Sequence, residues 1–399
     1  MVTVFTALRK TAAFASLRQF ALAMTALGLA AACEPIATTT GPAGPRVSAD
    51  QPVQVALLVP GGSGQQGDAA LAASLENAAR MAVADLGTNR IDLRVYSTGG
   101  DPQRAASQAV TAVNEGAQII LGPVFAESAR AAGNAVAGTG VSVLSFSNNT
   151  RVAGGNVFVL GPTFDTAARR LAAYAVSRDK RRFLTVAERN LSGEVGRAAI
   201  DGAVARAGGQ MAGVETFDFS QQGVVDAVPR IAETARSGGA DALFFTSNTA
   251  GALPLLVQLL PENRAGPDRF QYIGLARWDI PAAILDLPGV QGAWFAMPDP
   301  ALTRQFNRRY ADAHGSDPHP IAGLAYDGIA AIGALLRSGR PDALSRAALT
   351  QSQGFAGVSG AFRLLPDGTN ERGLAVAEIR DREVIVIDPA PRSFAGPGF

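Results

Sequence analysis

Short apolar runs of β type alternate along most of this chain with Ala-rich segments whose apolar residues fall three and four apart. Residues 53–59 predict a strand, 60–68 a Gly-rich loop and 69–86 a helix. The series continues with a strand at 91–97, a helix at 102–114, a strand at 117–121, a helix at 125–137 and a strand at 141–146. A second series then repeats the alternation. It predicts strands at 157–160, 182–187, 210–217, 241–246 and 270–275, with helices at 166–177, 193–207, 223–237 and 250–260. A strand at 290–297, helices at 301–314 and 320–338, and β-type runs at 361–365, 374–380 and 383–387 close the chain. Near-continuous apolar strands separated by helices imply parallel sheets covered on both faces. Right-handed crossovers then make an α/β fold of two doubly wound, Rossmann-like lobes.

The first residues follow a different pattern. Arg9, Lys10 and Arg18 precede an apolar run at 20–32, and Cys33, the only cysteine, comes directly after it. Basic segment, apolar segment and small-residue cleavage site describe a secretory signal, here 1–32. A bilayer span needs about 20 apolar residues, so this run is too short to be one. Ending on Cys33, the segment resembles a bacterial lipoprotein signal whose cysteine is lipidated, although Ala30 stands where Leu is usual. Ordinary cleavage after Ala30-Ala31-Ala32, or a buried thiol in a cytosolic protein, are the two other readings. Residues 33–51, rich in Thr, Pro, Gly and Ala, read as a flexible tether, 52–390 as the folded domain and 391–399 as a tail.

Without residues 1–32 the chain holds 32 basic and 34 acidic side chains, which argues against a nucleic-acid partner. No internal disulfide can form with one cysteine. The Gly61–Asp68 loop misses the phosphate-loop pattern, because Asp68-Ala69 stand where Lys and Ser/Thr belong. It reads as a tight turn, with Ser63 or Gln65 still able to meet a ligand at the carboxyl ends of the strands. The two histidines, His314 and His319, have no carboxylate cluster beside them, and Gly357-Val-Ser359-Gly360 is not a nucleophile elbow. No catalytic residue, metal or cofactor is expected. Ser145-Phe-Ser147-Asn148-Asn149-Thr150 follows a strand, and Ser247-Asn248-Thr249 takes the matching place in the second lobe. Each is either half of a ligand cleft or a turn bonded to itself. Phe306 and Tyr310 read as core.

From about Val53 to Asp388 the chain resembles a type I periplasmic binding protein of the leucine/isoleucine/valine-binding family. The resemblance is carried by Leu121-Gly-Pro123, Gly140–Ser145, Phe306–Tyr310, Ala325-Tyr-Asp-Gly328, Gly360–Arg363 and Asp367-Gly368. It implies two lobes joined by three crossings: lobe one at 52–162 and 298–350, lobe two at 163–297 and 351–390. It also implies a ligand carboxylate held by Ser128, Ser147, Asn148 and Asn149. Where the family places an acid for the ligand ammonium, this chain has Arg277-Trp278, with Asp279 beside them. The family's aromatic contact in lobe two is replaced by Leu191-Ser192-Gly193. Phe146-Ser147-Asn148, Leu160-Gly-Pro162 and the run Asp367–Gly373 resemble the lipoprotein activators of penicillin-binding proteins. That resemblance implies a non-catalytic envelope lipoprotein stimulating a bifunctional penicillin-binding protein by contact. Glu34 rather than Asp after the cysteine favours the outer membrane. The alternative is a solute-binding protein serving an ABC permease for branched-chain amino acids or related small molecules. The cleft candidates are Ser63, Ser128, Ser147, Asn148, Asn149, Ser247, Asn248, Arg277 and Trp278.

Overall fold

The computed structural model describes residues 44–394 apart from 49, 88 and 89, so the signal segment and Cys33 lie outside the described residues. Val53–Val59 (β1) is buried at every position, as a central parallel strand must be. It pairs with Ile91–Ser97 (β2) and Ile119–Leu121 (β3), and Ser142–Ser145 (β4) and Val157–Val159 (β5) extend the sheet. The order β2-β1-β3-β4-β5 is wholly parallel and defines lobe one. Its helices are Asp68–Asp85 (α1), Pro102–Asn114 (α2) and Ala126–Val136 (α3). Asp101 caps α2 through its side chain, and Pro102 sits where its missing N–H is harmless.

Lobe two is built from Arg182–Glu188 (β6), Gln210–Phe217 (β7), Ala242–Phe245 (β8), Gln271–Gly274 (β9) and Trp294–Met297 (β10). Phe164–Ser177 (α4), Leu191–Arg206 (α5), Gln221–Ser237 (α6) and Leu253–Glu262 (α7) cover it. Thr163, Asn190 and Ser220 cap the first three of these helices. Pro300–His314 (α8) and Ala322–Leu336 (α9) return to lobe one, where Phe306 and Tyr310 join the core. Arg346–Leu349 (α10) follows. Phe355–Gly357 (β11), Gly360–Leu364 (β12) and Asn370–Arg372 (β13) then form a small antiparallel sheet. Ala375–Arg380 (β14) and Glu383–Asp388 (β15) add antiparallel strands to the edge of the second sheet, beside β10. Two lobes of parallel α/β build and three crossings, at 160–163, just after Met297 and around 370–374, match the predicted class.

Four expectations change. Residues 351–364 do not belong to lobe two: Phe355, Phe362 and Leu364 pack into the lobe-one core. The tether does not run free to 51, because Val47 is buried in that core and its N–H donates to the Pro341 carbonyl at 2.8 Å. The strand expected from 290 begins at Trp294, since Pro288–Val290 is a single tight helical turn and Gly292 has φ +80°. The helix expected from 250 begins at Leu253, because residues 248–252 form turns.

The hinge is polar and buried. Arg372 donates from Nε and Nη2 to the Leu160 carbonyl at 3.1 and 2.8 Å, and from Nη1 to Asp327 at 3.0 Å. Its guanidinium lies 5.0 Å from the centroid of the Phe362 ring. Asp327, fully buried, also accepts from the Val358 N–H at 2.8 Å. Burial pushes this carboxyl up, and Arg372 and Val358 pull it back down. Asn370 donates to the carbonyls of Val159 and Gly161 at 2.8 and 2.9 Å, which ties the first crossing to the third. A Cβ on Gly357 would stand 2.5 Å from the Asp327 carboxyl, so the close approach of β11 needs glycine there.

Candidate functional site

β5 leaves lobe one from its carboxyl end, and β10 leaves lobe two from its carboxyl end. Both sheets therefore turn those ends toward the hinge, and the loops beyond them form two rims. Open α/β sheets bind ligands at such ends. Among the described residues, no hydrogen bond or ion pair joins one rim to the other. The polar links between lobes run through hinge residues such as Asn370 and Arg372.

The rim of lobe one is largely bonded to itself. Ser145 Oγ donates to the Pro123 carbonyl at 2.8 Å and accepts from the Ser147 N–H at 3.1 Å. Ser147 Oγ accepts from Asn149 N–H at 3.1 Å, and Asn149 Oδ1 from Arg151 N–H at 3.0 Å. This is the self-satisfying turn, one of the two readings of that cluster. Ser147 is buried and Asn148 is exposed. Ser128, fully buried, donates to the Gly100 carbonyl at 3.3 Å. Ser63 Oγ accepts from the Gln65 N–H at 3.0 Å, so the Gly-rich loop is the tight turn expected, and Asp68 lies in the first turn of α1. Over that loop lies Arg104, which no sequence motif marks. Its Nη1 would stand 3.1 Å from a Cβ on Gly99 and 3.9 Å from one on Gly62. The exposed guanidinium has no side-chain partner among the described residues.

The rim of lobe two differs. Asn248 Oδ1 accepts from the Ala250 N–H at 3.0 Å, and Thr249 donates its hydroxyl to the Ile280 carbonyl. Ser247, however, is fully buried with an Oγ that has no partner. On β6, the strand beside β8, Glu188 is 6% exposed. Its Oε2 accepts from Asn190 Nδ2 at 3.0 Å, and its Oε1 has no partner. Val186 and Phe245 are opposite in the parallel register, so Glu188 and Ser247, two residues further, fall side by side on one face. A Cβ on Gly251 would meet Phe219 at 3.2 Å, Asn248 Oδ1 at 3.3 Å and Glu188 Oε1 at 3.4 Å. Phe219, Asn248 and Glu188 therefore pack closely around Gly251, and Phe219 is 61% exposed.

Two candidates need correction. Trp278 is not a cleft residue. It is fully buried in the lobe-two core, tilted against Phe245 at 5.6 Å, and its indole N–H donates to the Ser247 carbonyl at 3.4 Å. Gly274 makes room for it, since a Cβ there would stand 2.4 Å from the indole nitrogen. Nor is Arg277 an unpaired cation. It grips Asp279 through two hydrogen bonds, one of them Nε to Oδ1 at 2.9 Å. The pair is close to neutral, so Arg277 does not bar a cationic ligand and Asp279 is not free to hold one. The His314 ring is tilted against Tyr310 with centroids 4.6 Å apart, and His319 follows at the entry to α9. Among the described residues no metal-holding group of His, Cys, Asp and Glu occurs, and no helix is long and apolar enough to cross a membrane.

Solved structures share this architecture at low identity. A branched-chain amino acid ABC transporter protein from Rhodospirillum rubrum is 18% identical with a TM-score of 0.71, covering 84% of this chain and 100% of its own. An ABC transporter substrate-binding protein from Desulfitobacterium hafniense, in complex with Leu, is 17% identical with a TM-score of 0.61, covering 84% and 100%. A solute-binding protein of an ABC transporter from Rhodopseudomonas palustris, in complex with 3,4-dihydroxybenzoic acid, is 17% identical with a TM-score of 0.55, covering 87% and 99%. No curated protein matches the chain. The family model described as periplasmic binding protein matches residues 52–383, which spans both lobes and every hinge crossing, and the chain belongs to that family.

Proposed function

We propose that this chain is a solute-binding protein that captures an amino acid or a related small molecule between its lobes and presents it to an ABC permease. One observation carries the reading. Among the described residues the lobes are joined by polar contacts only at the hinge, while the rims keep exposed or unpartnered polar groups: Arg104 on one, Glu188 and Ser247 on the other. A ligand supplying the missing partners would draw the rims together. The similar solved proteins that hold Leu or 3,4-dihydroxybenzoic acid add support, and they show that the fold admits ligands with and without an amine.

The alternative is activation of a bifunctional penicillin-binding protein. It rests on Phe146-Ser147-Asn148, Leu160–Pro162 and Asp367–Gly373, and the last two runs lie in the hinge. Asn370 and Arg372 point inward and bond the first crossing. These two side chains account for the fold and leave Pro162 and Asp367 as the exposed members of the runs, so that reading is the weaker one. Lipidation of Cys33, which would hold the domain at a periplasmic membrane face, belongs to the proposal under either partner. A thermal-shift panel of amino acids and aromatic acids on the purified protein tests solute binding. At a hundredfold excess over Kd the native state gains about 2.7 kcal/mol, a clear rise in Tm. No shift with any panel member at millimolar concentration overturns the reading.

A further inference from the structure

A cavity of about 190 Å³ lies between α4 and α5 beside the third crossing, and no rim residue lines it. That is the volume of about six waters, room for one small organic molecule. Its walls carry four arginines, Arg169, Arg170, Arg206 and Arg372, against one acid, Glu371. Arg372 is answered by Asp327 at 3.0 Å, and Arg170 by Asp388 at 2.7 Å. Glu371 is divided between two cations. Arg169 Nη1 meets one of its oxygens at 2.9 Å, and Arg363 Nε donates to the other at 2.6 Å. Arg206 has no partner among the described residues. Five guanidiniums therefore share three carboxylates, and two positive charges are left over. A cation in the last turn of α5 offsets the helix dipole, which accounts for Arg206 taken by itself. It does not account for Arg169 on the facing helix, whose one acid is shared. Thr166 in the same wall is buried and already bonded to Thr163 and to the Asn370 carbonyl. Ala173, Ala203 and Ala207 make the rest of the wall apolar.

A guanidinium presents its donors in a planar fork that fits the oxygens of a carboxylate or a phosphate. An ammonium would add to the surplus of positive charge, and a neutral group would leave it standing. We propose that Arg169 and Arg206 form an anion site between α4 and α5, which takes a carboxylate or phosphate group carried on a short apolar body. The alanine walls accept that body, and the volume limits it to a few carbons. The site lies outside the cleft between the lobes, so it goes beyond the solute-binding reading and stands or falls separately from it.

Calorimetry on the full chain and on Arg206→Gln, Arg169→Gln and Arg104→Gln tests it, with butyl phosphate, butyrate, inorganic phosphate and butylamine as probes. Butyl phosphate or butyrate should bind the wild type, butyl phosphate more tightly than inorganic phosphate, and butylamine should not bind. Arg206→Gln and Arg169→Gln should each weaken the anion by about tenfold, the loss of one charge-assisted hydrogen bond. Arg104→Gln, on the lobe-one rim, should bind it as the wild type does. Arg206 is exposed and unpartnered, so the ligand-free Tm of Arg206→Gln should match the wild type, which keeps the test clear of folding. Binding of one of the two organic anions and not the other, with the same loss in Arg206→Gln, upholds the site and names its anion. Equal anion affinity in the wild type and Arg206→Gln overturns the proposal. So does a loss confined to Arg104→Gln, which would put the anion on the lobe-one rim. Butylamine binding as tightly as the anions, or no anion binding at millimolar concentration, overturns it as well and leaves the solute-binding reading to its own panel.

Discussion

The hinge and the lobe-two rim both bury polar side chains, and they treat them in opposite ways. At the hinge, Asp327 takes Arg372 and the Val358 N–H, Arg372 also takes Leu160, and Asn370 takes two carbonyls. Asn370 Oδ1 is the one hinge side-chain atom among these left open. At the rim, Glu188 and Ser247 keep an oxygen each without a partner. Burial alone therefore does not distinguish the two regions; the hinge side chains named here complete all but one of their hydrogen bonds, and the rim pair leaves one oxygen open on each residue. A group completed within the protein holds the protein together, and a group left open is available to something else.

The largest expected effect lies at the hinge. Arg372→Ala leaves Asp327 buried beside Val358 without its cation and removes two hydrogen bonds to Leu160. Breaking a buried pair from one side costs about 3–5 kcal/mol. Chemical denaturation should show that loss directly, and a change below about 1 kcal/mol would mean the hinge pair is not structural. The self-bonded lobe-one rim should sit between the extremes. Ser145→Ala removes one donor and one acceptor, stranding the Ser147 N–H, while the Pro123 carbonyl keeps the Phe146 N–H at 3.0 Å. An expected loss of about 1–3 kcal/mol follows from leaving a buried group unpaired. The same denaturation measurement checks it, and a neutral result would put this rim in the same class as its counterpart.

The hinge was the more legible region in the sequence, though its meaning was not. Leu160–Pro162, Asp327 and Asp367–Gly373 stand out as motifs, and in the fold Leu160, Gly161, Asp327, Asn370 and Arg372 interlock at the crossings. The strand Val53–Val59 and the helix Pro102–Asn114 are readable to the residue, since Pro60 ends one and Asp101-Pro102 begin the other. Strands β11 and β13 are not, because three-residue strands carry no period and form only against β12. The Ser/Asn clusters of the two lobes look alike in sequence, and only the fold separates them. Glu188 gave no signal: an acid at a strand end looks like any surface acid. Its burial comes from the loops holding Phe219 and Asn248–Gly251, 31 to 63 residues away. Trp278 failed for the opposite reason, as an aromatic residue in a loop that Gly274 lets fold inward.

The smallest effect should fall on Ser247. Ser247 Oγ makes no hydrogen bond within the protein, so Ser247→Ala strands nothing. It removes a hydroxyl that is unfavourable to bury unpaired, and the ligand-free protein should be unchanged or stabilised by at most about 1 kcal/mol. Denaturation without ligand measures this change, and the contrast with Ser145→Ala is the informative quantity, since the two serines end matching strands. A loss for Ser247→Ala as large as for Ser145→Ala would mean that its hydroxyl is completed inside the folded protein, by ordered water or by a rotation toward a neighbouring carbonyl. The rim would then be closed like its counterpart, and the contrast between the two rims would disappear.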